Sequence, residues 1–186
     1  LKKHSTLGCC GIDCGLCPRY QSKGSSACPG CGGPDFRLKH PSCGFLTCCS
    51  TTRGFEVCSE CTDYPCKRFE PEKQGLDSFV THRRIFQNHD YIKKTGIDSF
   101  LVQQKSRIRI LNCFIDNYDD GRSKNFFCIC CTLLPLERLQ KINESFSATG
   151  SYESLSLKEK NKILKETLID AGSELNIELK LNTGRK

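Results

Sequence analysis

The sequence predicts an α+β protein that is mostly helical. A small, irregular, cysteine-rich and metal-stabilised module spans residues 1–70. A mainly helical region spans 71–186 and ends in one strand over 174–181, and the two are expected to pack as one unit. Three observations give this reading. Twelve of the sixteen cysteines lie between Cys9 and Cys66. The same stretch is rich in Gly, Pro and Ser, as in "SKGSSACPGCGGPD", which is turn chemistry. Beyond residue 71 apolar residues recur at helical spacing until a strictly alternating run near the end.

The first 70 residues carry too few large apolar groups to fold by burial alone, so another source of stability is required. Helical patterning starts after "PEKQG". Residues 77 to 94 predict one helix or two short ones, with Phe79, Val80, Ile85, Phe86, Tyr91 and Ile92 as apolar contacts and Gly96 as the stop. Ile97, Leu101, Ile108, Leu111, Ile115 and Tyr118 define the next helix, with Gln104 as a polar interruption. Thr95 and Asp98 are its candidate caps, and Asp119-Asp120-Gly121 its end. The alternation in "RIRIL" leaves a strand as the lesser alternative there. "NFFCICCTLL" reads as a buried helix ending before Pro135, and "PLERLQKI" as a further turn or two. Ser156 and Glu159 form a capping-box pattern for a helix through Ala171, closed by Gly172. In "ELNIELKL", Leu175, Ile177, Leu179 and Leu181 alternate with polar residues, the pattern of a strand. A lone strand needs a partner, and a homodimer pairing two such strands is one way to supply it.

No run of 18 apolar residues occurs, so no membrane span is expected. "LKKHSTLGCC" lacks the apolar stretch of a signal peptide, and the chain reads as cytoplasmic. Thiols stay reduced in that compartment, which favours metal over disulfides. The formal charge of +7 suggests nucleic acid only weakly. Each divalent ion held by four thiolates carries a net charge of about −2, and the bases mostly alternate with acids along the chain.

Cys14-x-x-Cys17 and Cys28-x-x-Cys31 are two knuckles, and a tight Cys-x-x-Cys turn presents both sulfurs to one ion. Cys10 sits four residues before Cys14 and is a further candidate for that set. Cys58-x-x-Cys61 and Cys66 begin a second set, with Cys43, Cys48 and Cys49 available upstream. The candidate ligands are therefore Cys10, Cys14, Cys17, Cys28, Cys31, Cys43, Cys49, Cys58, Cys61 and Cys66, enough for two or three ions. All-sulfur coordination suits zinc, the preferred metal, and also an iron–sulfur cluster. Structural zinc contributes ~10–16 kcal/mol per site, realised only in the folded state, which offsets a missing core.

Cys10-x3-Cys14-x2-Cys17 also has the spacing of radical S-adenosylmethionine enzymes. Their barrel needs an alternation of strands and helices that is absent here. "CPGC" and "CSEC" share the form of thiol oxidoreductase sites, but multiple pairs without a βαβ setting fit ligation better. No serine-triad signature, nucleotide loop or phosphate loop is evident. Cys113, Cys128, Cys130 and Cys131 lie in apolar patterns and read as buried small side chains. His40 reads as a loop residue, and His82 and His89 as partly exposed helix residues.

"CGIDCGLCPRY", "CPGC" and "CSECTDYPCKRF" together resemble a bacterial and archaeal cysteine-rich family, domain of unknown function 3795. Cys10, Cys14, Cys17, Cys28, Cys31, Cys58, Cys61 and Cys66 stand on matching positions, as does Cys49. "NHDYIKKTGIDSF" extends the likeness to about residue 100. The resemblance implies metal binding and brings no activity with it. The doubled Cys9–Cys10 and Cys48–Cys49 depart from the family pattern and add possible ligands. The function expected is that of a non-enzymatic metal-binding protein, with zinc as the metal and a structural role or a protein partner; the alternative is an iron–sulfur protein with an electron-transfer or redox role.

Overall fold

The computed structural model describes residues 2–72, 75–147, 152 and 154–184. Among them it is mostly helical, with α1 (Phe36–Lys39), α2 (Gly44–Leu46), α3 (Ile85–Thr95), α4 (Ile97–Tyr118), α5 (Lys124–Leu133), α6 (Leu136–Ser147) and α7 (Leu157–Glu174). The β pairing among the described residues is an isolated antiparallel bridge between Leu7 and Asp13. The chain divides into two compact units, Leu1–Gln104 with Leu181–Lys186, and Lys105–Lys180.

Up to residue 84 the first unit is built from loops and turns, with α1 and α2 as short helical pieces among them. Short 3-10 turns cover Cys14–Leu16, Cys58–Glu60 and Lys67–Phe69, and α2 runs on as a π turn over Thr47–Thr52. Its apolar contacts are few. Leu7, Val57, Ile92, Phe100 and Leu101 form one buried cluster. Phe69 is fully buried, with the rings of Phe45, Tyr64, Phe86 and His89 around it. Polar groups hold what apolar burial does not. The Glu56 carboxylate accepts from Lys2 Nζ and from the backbone N–H groups of Lys3 and His4. Gln104, the polar interruption in α4, is buried because it has work on that face: Nε2 donates to Thr6 O at 2.8 Å and to Asp13 Oδ1 at 2.6 Å.

The helix expected from residue 77 begins only at Ile85. Asp77 explains the delay, because its Oδ1 accepts from the Thr81 hydroxyl and the His82 N–H and holds that stretch as a turn. Gly96 ends α3 with φ +88°, its N–H donating to Ile92 O. Thr95 does not cap α4; its hydroxyl donates back to Tyr91 O in α3. "RIRIL" is helical, within α4.

The second unit packs the remaining turns of α4 with α5, α6 and α7 around Leu111, Phe114, Phe127, Leu134, Leu139, Leu164 and Leu168, all fully buried. Arg107 is buried and donates to the carbonyls of Cys131 and Leu134 at 2.7 Å each, satisfying the end of α5 just before Pro135. The α6 helix reaches Ser147, beyond the turn or two expected. Ser156 caps α7 with the reciprocal Glu159 contact of a capping box.

The expected strand over 174–181 is not formed. The α7 helix continues to Glu174, and Asn176 then takes a left-handed φ of 54° that reverses the chain. The N–H of Ile177 donates to Gly172 O, and Leu179 folds against Gly172. The alternating leucines thus turn back on a helix end instead of extending along a sheet.

Candidate metal centre

Two of the three Cys-x-x-Cys knuckles, Cys14–Cys17 and Cys58–Cys61, fold as tight turns. The N–H of Cys17 donates to Cys14 O at 3.1 Å, and that of Cys61 to Cys58 O at 3.0 Å. Backbone bonds then gather distant loops. The N–H of Cys31 donates to Ser5 O at 2.7 Å, and that of Cys58 to Cys9 O at 2.9 Å.

Two cavities result. The larger, of about 220 Å³, is lined by Cys10, Cys14, Cys17, Cys28, Cys31 and Cys43, with apolar walls that include Phe36, Phe45 and Val80. The smaller, of about 50 Å³, is lined by Cys48, Cys49, Cys58, Cys61 and Cys66. The two knuckles assigned to one set by spacing do share a cavity. Cys43 lines the larger cavity, not the smaller one. All sixteen cysteines are free thiols. Among the described residues no three His, Cys, Asp or Glu groups are already drawn about a point as a metal-holding cluster.

Their surroundings keep Cys10, Cys14, Cys17, Cys31 and Cys49 protonated in the absence of an ion. Burial pushes Cys10 and Cys14 up. Burial also raises Cys17, against the N–H groups of Tyr20 and Arg19, which favour its thiolate. Cys31 is raised by its hydrogen bond to Cys9 and by burial. Cys49 is pushed up to about 12, first by its bond with Cys58. A metal ion reverses this balance by replacing the protons. At the smaller cavity the Arg53 guanidinium donates to Cys61 Sγ and pairs with Asp63 at 2.9 Å. The donor set is sulfur throughout, and fits zinc and iron–sulfur chemistry alike.

Several groups here stand outside the set of candidate ligands. Cys9 is fully buried, and its Sγ lies 3.8 Å from Cys31 Sγ. The larger cavity's wall also carries Glu72, Ser78 and His82. Glu72 Oε2 lies 2.7 Å from His82 Nδ1, and Ser78 Oγ lies 3.0 Å from His82 Nε2. A carboxylate only accepts, so Nδ1 carries a proton that it donates to Glu72, while Nε2 meets the Ser78 hydroxyl. His82 lies before α3, in the turn made by Asp77, and not on a helix face. His89 is on α3 but fully buried, against the expectation of partial exposure. Its helix packs on the opening turn, where Asn88 Nδ2 donates to Gly11 O at 2.9 Å.

Within α5, Cys128, Cys130 and Cys131 are buried as expected of small apolar side chains. Among the described residues no helix is long and apolar enough to cross a membrane.

Residues 6–71 match the family described as Protein of unknown function (DUF3795). It is the family that the cysteine motifs resemble, and the matched stretch carries every cysteine lining the two cavities. No curated protein and no solved structure matches the chain.

Proposed function

We propose that this is a non-enzymatic metal-binding protein, in which thiolates of the first unit hold inorganic ions and those ions, in place of a large apolar core, order the loops as a surface for a protein partner. The observation that carries the reading is the larger cavity, where six cysteines from three separate loops face one volume of about 220 Å³. Dense reduced thiols at one place are a liability unless they serve as ligands.

The size of the larger cavity bears on its occupant. Four thiolates on one zinc ion, with Zn–S near 2.3 Å, stand ~3.8 Å apart and leave no open volume between them. A cavity of about 220 Å³ has room for a polynuclear iron–sulfur cluster, and with a cluster there the role would be electron transfer or redox chemistry in place of a structural one. The second reading, zinc with a structural role, is favoured by the Cys-x-x-Cys turns and by the 3.8 Å separation of Cys9 and Cys31. Nucleic acid as the partner has less support, because the charge of +7 falls as thiolates bind metal.

Protein prepared without oxygen and analysed for metals tests the reading. Brown material with iron and inorganic sulfide supports the cluster. Colourless material with stoichiometric zinc supports the second reading. Ordered protein that takes up neither overturns both.

A further inference from the structure

We infer that Cys9, Cys31, Cys49 and Cys58 form a mononuclear zinc site, distinct from whatever fills the larger cavity. The inference shares with the proposed function the premise that thiolates of this unit bind metal, and adds where one ion sits.

The four residues come from four separate places: the opening turn, the second knuckle, the π turn after α2, and the third knuckle. The Cys9–Cys31 separation of 3.8 Å is already that of one edge of a zinc–sulfur tetrahedron, for which the Zn–S length gives ~3.8 Å. Cys49 lies in one buried cluster with Cys9 and Cys31, and Cys58 packs against that cluster, so the four side chains are gathered in one place. The backbone ties the ends together, because the Cys58 N–H donates to Cys9 O at 2.9 Å. The Cys9 N–H donates to Cys31 Sγ at 3.4 Å, a contact that favours a sulfur carrying negative charge.

The surroundings fit such a site. Cys9, Cys31 and Cys49 are a buried cluster, and Phe45, Leu46 and Phe55 pack on it to exclude water. The Lys2 side chain is fully buried, and its ammonium acts electrostatically on Cys9, Cys31 and Cys49. A cation there offsets part of the net charge of about −2 on a zinc ion with four thiolates. Binding would release the thiol protons to solvent and draw Cys49 and Cys58 in to close the remaining edges. The site takes Cys31 from the wall of the larger cavity, which keeps Cys10, Cys14, Cys17, Cys28 and Cys43, and takes Cys49 and Cys58 from the wall of the smaller, which keeps Cys48, Cys61 and Cys66.

The test is zinc titration of the reduced, metal-free protein, followed by alkylation and mass spectrometry. One equivalent of zinc is expected to protect Cys9, Cys31, Cys49 and Cys58 together, at least tenfold over the metal-free protein. Cys9→Ser is expected to lose one equivalent of bound zinc, and Cys17→Ser to keep that equivalent. Protection that falls first on Cys10, Cys14, Cys17 and Cys28 overturns the inference, as does a folded Cys9→Ser variant with undiminished zinc. In either case the metal-binding function stands. A wild-type protein that binds no metal at all defeats both. The footprint is read on the wild-type chain, so it remains decisive if Cys9→Ser fails to fold.

Discussion

Gly11 and His89 touch so closely that there is no room for a side chain on the glycine. A Cβ at Gly11 would stand 2.8 Å from His89 Cδ2 and Nε2 and equally close to Ile85 O, and the glycine turns at φ +89°. Gly11→Ala is therefore expected to destabilise the first unit by ~3 kcal/mol, through the left-handed backbone and overpacking together. Gly121 has φ +90° but nothing within 4 Å of the same position, so Gly121→Ala should cost only ~1 kcal/mol. Urea unfolding of both variants checks the difference; equal costs would show that the contact with His89 is unimportant.

The same histidine predicts a pH dependence. Burial lowers the His89 pKa from 6.5 to about 4. The folded state thus favours the neutral ring, and its contribution is complete above about 6.5 and lost as pH falls through that value towards 4. The stability lost at the acid end of that window is ~3 kcal/mol. The measurement is an NMR titration of the His89 ring, which should show its midpoint near 4; a midpoint near 6.5 contradicts the burial.

Gln104 joins α4 to the opening loop through Thr6 O and Asp13 Oδ1. Removing its amide with Gln104→Ala takes away one of the donors to each of these acceptors, at a cost of ~2 kcal/mol. Thermal unfolding gives the stability change, and hydrogen exchange should place the loosening at residues 6–15. A loss confined to other segments would mean that the glutamine is not the tether.

Cys61 and Cys130 separate ligation from packing. Cys61 lines the smaller cavity, whereas Cys130 is fully buried in α5. Cys61→Ser should lower metal content. Cys130→Ala should leave metal content unchanged and cost ~1 kcal/mol of stability from the lost packing. Elemental analysis beside urea unfolding checks both, and full metal content in Cys61→Ser would remove Cys61 from the ligands.

The helices of the second unit were legible because their apolar spacing and the Ser156–Glu159 box are local signals. The C-terminal strand was misread for a physical reason. Alternation at Leu175, Ile177 and Leu179 does not distinguish a strand from a chain that reverses onto a helix end, and Asn176 and Gly172 make the reversal possible. The knuckles were legible from Cys-x-x-Cys spacing. How their sulfurs divide between cavities was not, because backbone bonds such as Cys58 N–H to Cys9 O join segments with no sequence relation. His82 gave no signal for the same reason, since its partners Glu72 and Ser78 become informative only once a turn brings them together.

Cys128, Cys130 and Cys131 give the helical unit an internal clock. Each is at most 1% exposed, and all three belong to one helix. A thiol-modifying reagent can reach them only when that helix opens, so the rate at which their masses shift together reports the opening of this unit alone.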